Sequence, residues 1–107
     1  MEQLTAPALA AWLADPARPQ PMLLDVRENW EFETCKIPGS TQIAMNTIPA
    51  RIEELDDEAE IVCICHHGAR SMQVAAFLER NGFAKTFNLT GGIHAWAVQV
   101  DSAMPTY

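Results

Sequence analysis

Ile61-Val62-Cys63-Ile64-Cys65-His66-His67-Gly68-Ala69-Arg70-Ser71 runs from an apolar stretch straight into a polar loop, and a segment of helical period follows. The apolar part reads as a buried strand ending on Cys65. Gly68 lets the loop curve tightly, so the chain sets a thiol at a strand-to-helix turn. Main-chain N–H groups and the positive end of the helix dipole there favour a thiolate, or an anion carried on the sulfur. The dipole supplies roughly 0.3 to 2 kcal/mol, against about 1.5 to 3 kcal/mol for each hydrogen bond to a charged acceptor. Two convergent amides therefore outweigh the dipole, and Cys65 is expected to be a loop-activated nucleophile that needs no dedicated general base.

Outward from this stretch, strand and helix patterns alternate. Met1 to Thr5 reads as a short strand, with Thr5 as N-cap of a helix that carries Pro7 in its first turn and Leu9, Trp12 and Leu13 on one face. The proline-rich segment Asp15 to Pro21 stops that helix as a surface connection. Met22 to Val26 reads as a second buried strand with Asp25 and Arg27 near its C-terminal end, followed by a helical turn over Asn29 to Thr34. Pro38-Gly39 is a turn, Thr41 to Ala44 a short strand, and Ile48, Ile52 and Leu55 have helical spacing. The acidic cluster Glu53 to Glu60 reads as a solvated helix end and loop rather than a metal site.

Beyond the Cys65 loop, Val74, Phe77 and Leu78 form the apolar face of a helix that Asn81-Gly82 ends. Thr86 to Leu89 is another strand, Gly91-Gly92 a turn, and Ile93, Trp96, Ala97 and Val100 one face of a last helix. This alternation implies an α/β fold, a parallel sheet covered by helices on both faces, with its site at the C-terminal ends of the strands.

The chain of 107 residues, 49% hydrophobic, is expected to be a single domain over 1–107 with an ordinary core. No apolar stretch approaches the roughly 18 residues that span a membrane, and no secretory pattern opens the chain, so a cytoplasmic protein is expected. A formal charge of −7 without any basic run argues against nucleic acid or an anionic membrane as partner. An anionic substrate would then need local positive potential, which the Cys65 loop and Arg70 can supply. The three cysteines read as reduced thiols. Cys63 is expected to be a buried strand residue and Cys35 an inert thiol.

Cys65-His66-His67-Gly68-Ala69-Arg70 closely resembles the active-site loop of single-domain rhodaneses. Two further boxes occur in the family's order. Leu24-Asp25-Val26-Arg27 with Trp30-Glu31-Phe32 and Ile37-Pro38-Gly39-Ser40 resembles its first box, and Gly91-Gly92-Ile93-His94-Ala95-Trp96 its last. The resemblance implies a five-stranded parallel sheet with helices on both sides and a ping-pong sulfurtransferase without cofactor or metal. A small anionic donor such as thiosulfate would leave its outer sulfur on Cys65 as a persulfide, and a thiol, cyanide or protein acceptor would remove it. His66, His67, Gly68, Ala69, Arg70 and Ser71 would surround the transferred sulfur, their N–H groups forming a semicircle about it.

Arg70 suits two tasks equally, binding the donor or staying tucked against a carboxylate or loop carbonyls. His66 and His67 are expected at the rim, positively charged only near pH 6.5 or below. Asp25 and Arg27 are expected to fix a loop, with Glu31 a possible partner for Arg27. Where the family places glycine and histidine before Ile-Pro-Gly, this chain has Cys35 and Lys36.

Three rival functions frame the expectation. A phosphatase or arsenate reductase loop holds five residues between cysteine and arginine, where this chain has four. The shorter loop is narrower by roughly 1 Å and suits a single sulfur better than a tetrahedral oxyanion. A persulfide carrier or interaction module for a partner protein is the second rival. A metal site drawn from Cys63, Cys65, His66 and His67 is the third, and it lacks a second ligand pair unless His94 or Cys35 folds close.

Overall fold

The computed structural model describes residues 1–107. Its elements are β1 (Glu2–Leu4), α1 (Ala6–Leu13), β2 (Met22–Asp25), α2 (Asn29–Thr34), β3 (Thr41–Gln42), α3 (Ile48–Arg51), β4 (Ile61–Ile64), α4 (Ala69–Arg80), β5 (Thr86–Leu89) and α5 (Gly92–Gln99). Five parallel strands form one sheet in the order β1-β5-β4-β2-β3. The expected α/β architecture with a five-stranded parallel sheet is therefore present.

Strand parity decides which face each side chain enters. Leu24, Ile61, Cys63 and Cys65 point to one face and pack with Ile48 of α3 and with Val74, Ala75 and Leu78 of α4. Leu23, Val62 and Ile64 point to the other face and meet Leu9 and Trp12 of α1 and Ile93 and Trp96 of α5. Both faces are covered, which is why β2 and β4 read as continuous apolar runs rather than alternating ones. No helix is long and apolar enough to cross a membrane.

The topology also fixes where a site can form. β4 lies at the centre, between β2 and β5. The chain leaves β2 toward β3 on one side and leaves β4 toward β5 on the other, so a crevice opens at the C-terminal ends of β2 and β4. Asp25, Arg27 and the loop after Cys65 all sit at that crevice.

Several boundaries differ from expectation: β1 covers only Glu2–Leu4 of the expected Met1 to Thr5, and β2 ends at Asp25 rather than Val26. β4 ends at Ile64, so Cys65 is the first residue past the strand. β3 covers only Thr41–Gln42, because beyond Gln42 the chain bends into a 3-10 turn at Met45–Thr47. The Ile48–Leu55 pattern is not one helix but the four-residue α3 followed by a 3-10 turn at Ile52–Glu54. Val100 lies past the end of α5 and is 38% exposed, since the helix stops before its last apolar repeat turns inward.

Leu24 is fully buried at the centre of this packing, opposite Cys63 in register. Leu24→Ala is expected to lower unfolding free energy by about 2 to 5 kcal/mol in urea denaturation. A loss under about 1 kcal/mol would contradict a closely packed layer there.

Candidate functional site

The loop from Cys65 to Ser71 is held from two sides. On the β5 side, the N–H of Ile93 bonds to the Cys65 carbonyl at 2.8 Å and the N–H of His94 to the His66 carbonyl at 3.1 Å. Gly92 makes that approach possible. A Cβ on it would stand 2.5 Å from the Cys65 carbonyl oxygen and 2.4 Å from that of His66, and its φ of +61° is itself poorly tolerated by other residues. Gly68, the N-cap of α4, has φ +104°, and a Cβ there would press on the Gly91 nitrogen and the Leu89 oxygen at 3.2 and 3.3 Å.

On the β2 side the support is ionic. Arg70 reaches across to Glu31 and forms a two-pronged pair at 2.7 and 2.9 Å. Of the two tasks open to Arg70, the structure shows the tucked one. Its guanidinium is held more firmly protonated than a free one, first by those bonds. The Glu31 carboxylate, in turn, is lowered to about 2, chiefly by Arg70, with Tyr107 and the Glu28 N–H assisting against the opposing effect of burial.

Arg27 does not take the Glu31 carboxylate as its partner. It is fully buried and binds Asp25 at 2.9 and 2.7 Å, and it donates to the carbonyls of Glu31 at 3.1 Å and Cys35 at 2.6 Å. Burial opposes its charge, yet the bonds to Asp25 and Tyr107 raise its pKa on balance. Asp25 and Arg27 thus fix the chain after β2, as expected.

Cys65 is 1% exposed and packs among Leu24, Val26, Ile48 and Val74, yet two polar groups face its sulfur. The Gly68 N–H donates to Sγ at 3.0 Å, and the Ser71 hydroxyl lies 3.2 Å from it. The expected semicircle of amides is thus represented at the reduced sulfur by one amide and one hydroxyl. The N–H groups of His66, His67, Ala69 and Arg70 donate to no protein acceptor and stay available, those of Ala69 and Arg70 as first-turn amides of α4. His66 is half-buried, while His67 and Ala69 are exposed. The pKa of His66 is lowered, first by burial and then by its histidine neighbours, so its positive charge appears only below the ordinary histidine range.

Several contacts at this site carried no usable sequence signal. The Ser71 hydroxyl bonds to Asn88 Oδ1 at 2.5 Å, and Asn88 Nδ2 donates to Gln3 Oε1 at 2.9 Å. A polar chain therefore runs from the sulfur to the β1 edge. Its single hydroxyl proton cannot serve Asn88 and Cys65 together, and the shorter contact is the one to Asn88. Tyr107, far along the chain, stacks on His66 with centroids 4.0 Å apart and donates to Glu31 at 2.7 Å. Cys63 is fully buried and its thiol is pushed up to about 12 by burial, which leaves it unreactive. Cys35 is buried as well, in keeping with an inert thiol.

Comparison with known proteins agrees with this fold. The Rhodanese-like domain family matches residues 5–99. A protein named Sulfurtransferase from Allochromatium vinosum is 40% identical over 76 residues, covering 71% of this chain and 71% of its own. Thiosulfate sulfurtransferase GlpE of Pseudomonas syringae pv. syringae is 35% identical over 75 residues, covering 70% and 71%. The region also recurs inside a longer protein. The chain spans 30% of Rhodanese-like/PpiC domain-containing protein 12, chloroplastic, of Arabidopsis thaliana, at 38% identity over 89 residues and 79% of this chain. Among solved structures, a Rhodanese-like Domain Protein from Staphylococcus aureus superposes with a TM-score of 0.84 at 30% identity, covering 100% of this chain and 99% of that one.

The Glu31–Arg70 pair sets an acid limit on stability. The carboxyl value in the fold, about 2, lies below its ordinary 4.5. The pair therefore stabilises the fold fully above about pH 4.5, and that contribution is lost as pH falls toward 2. Glu31→Gln should flatten the decline of the urea midpoint across that window relative to the native chain, and identical slopes would show that the pair adds no stability.

Proposed function

This chain belongs to the rhodanese-like domain family, and from that premise we propose that Cys65 carries sulfane sulfur from an anionic donor such as thiosulfate to a thiophilic acceptor. A function of sulfurtransferase type is supported by relatives that bear that name. The observation that carries the proposal is the Gly68 N–H aimed at the Cys65 sulfur, in a loop where the amides of His66, His67, Ala69 and Arg70 are free.

In the first half-reaction the Cys65 thiolate attacks the outer sulfur of thiosulfate. A bond forms between Sγ and that sulfur, the donor's own S–S bond breaks, and its electron pair leaves on sulfite. In the second, cyanide or a thiolate attacks the terminal sulfur of the persulfide. The Sγ–S bond breaks, its electron pair returns to Cys65, and thiocyanate or a new persulfide departs. Both steps move negative charge at the end of the loop, where fixed N–H dipoles stabilise it without reorganising.

Arg70 supports this chemistry by shape as well as charge. With its guanidinium committed to Glu31, it braces the loop and contributes positive potential at the edge of a groove lined also by Val26, Glu28, Met45, Asn46 and Pro49. That groove, about 440 Å³, opens beside the Arg70 end of the loop. Because Cys65 is 1% exposed, delivery of sulfur needs a local displacement of its cover.

Intact mass after thiosulfate treatment tests the proposal. A gain of about 32 Da, one sulfur atom, is expected for the native chain, Cys35→Ser and Cys63→Ser, and none for Cys65→Ser. A gain that survives Cys65→Ser would overturn the proposed nucleophile. Turnover of a phosphate ester in preference to thiosulfate would favour the phosphatase-like rival.

A further inference from the structure

On the outer side of the loop three imidazoles meet that the sulfur chemistry does not use. His66 and His67 leave the end of β4, and His94 is the third residue of α5. Their ligand-capable nitrogens all lie within 4.8 Å of one another. Backbone sets this convergence, because the His94 N–H bonds to the His66 carbonyl at 3.1 Å and Gly92 is fitted against the same carbonyl. The two segments cannot separate without breaking the support of the Cys65 loop.

His67 lies against both His66 and His94, and His66 also stacks on Tyr107, but the three rings take no part in the hydrogen bonds and ion pairs that occupy Glu31, Arg70 and Arg27 nearby. We propose that His66, His67 and His94 form a three-histidine site for a divalent first-row transition-metal ion of the zinc type. Imidazole nitrogen suits that class of ion, and three protein ligands leave a fourth position for water or an incoming sulfur ligand. The formal charge of −7 favours cation capture, and the nearby Glu31 carboxylate is already paired with Arg70.

Binding requires the rings to turn from their resting arrangement. His66 and His67 are stacked with centroids 4.0 Å apart and planes 25° from parallel, so their lone pairs do not yet converge. Tetrahedral zinc with Zn–N near about 2.0 to 2.1 Å needs its nitrogens roughly 3.3 Å apart. His67 and His94 are both exposed and can turn into that geometry while His66 stays held against Tyr107.

Zinc titration of the full-length Cys65→Ser protein tests the site without any contribution from that sulfur, so its outcome is independent of the sulfurtransferase proposal. One equivalent of zinc should bind by calorimetry, and cobalt(II) should give the intense visible bands of a tetrahedral ion. His67→Ala and His94→Ala, each in the Cys65→Ser background, should each weaken zinc binding by roughly tenfold or more. Both residues are exposed, so urea midpoints should stay unchanged and report that the fold is intact. Well under half an equivalent of bound zinc, or unchanged affinity in either alanine variant, would overturn the three-histidine assignment.

Discussion

The bond from the Ile93 N–H to the Cys65 carbonyl, with its neighbour from His94 to His66, is the constraint on which the rest of the site depends. It ties the end of the central strand to the start of α5, and it exists only because Gly92 has no side chain between them. With the first two loop carbonyls fixed, the chain must rise, turn at Gly68 and enter α4, and that path brings the Gly68 N–H to the sulfur. The Glu31–Arg70 pair closes the same loop from the opposite side. A main-chain clamp and a charge-assisted pair leave few conformations between them, which is the preorganisation an anionic sulfur requires.

Burial shapes the chemistry as much as hydrogen bonding does. Cys63 and Cys65 share a face of the sheet, two residues apart, yet their surroundings differ. Cys63 sits inside β4 and its thiol is pushed up to about 12, whereas Cys65 stands one residue past the strand, where Gly68 and Ser71 offer polar partners. Two positions along the chain separate a packing residue from a candidate nucleophile. The charged groups follow the same logic. Arg27 and Asp25 are fully buried but satisfy each other and nearby carbonyls, so they fix the chain after β2 without facing the groove.

Much of the fold was legible because the signals were local. The apolar runs at Met22 and Ile61, the Thr5 cap and the Asn81-Gly82 stop each express a backbone rule that needs no distant partner. Expectation failed where a local pattern met a tertiary demand. The Ile48–Leu55 repeat breaks into short turns, and Val100 falls outside α5. At the site, the cysteine, the glycine and the arginine were readable from spacing. The direction of Arg70, the chain through Ser71, Asn88 and Gln3, and the stacking of Tyr107 on His66 join residues far apart in sequence, and no local rule announces them. His94 lay in view within Gly91-Gly92-Ile93-His94, but its closeness to His66 emerges only once β4 and β5 are side by side.

The most direct measurement is a crystal structure of the protein loaded with thiosulfate and frozen before any acceptor is added. The terminal sulfur on Cys65 should lie within about 3.5 Å of two or more N–H groups between His66 and Ser71. A terminal sulfur turned toward Ile48 and Val74, in contact with none of those groups, would contradict the proposed cradle.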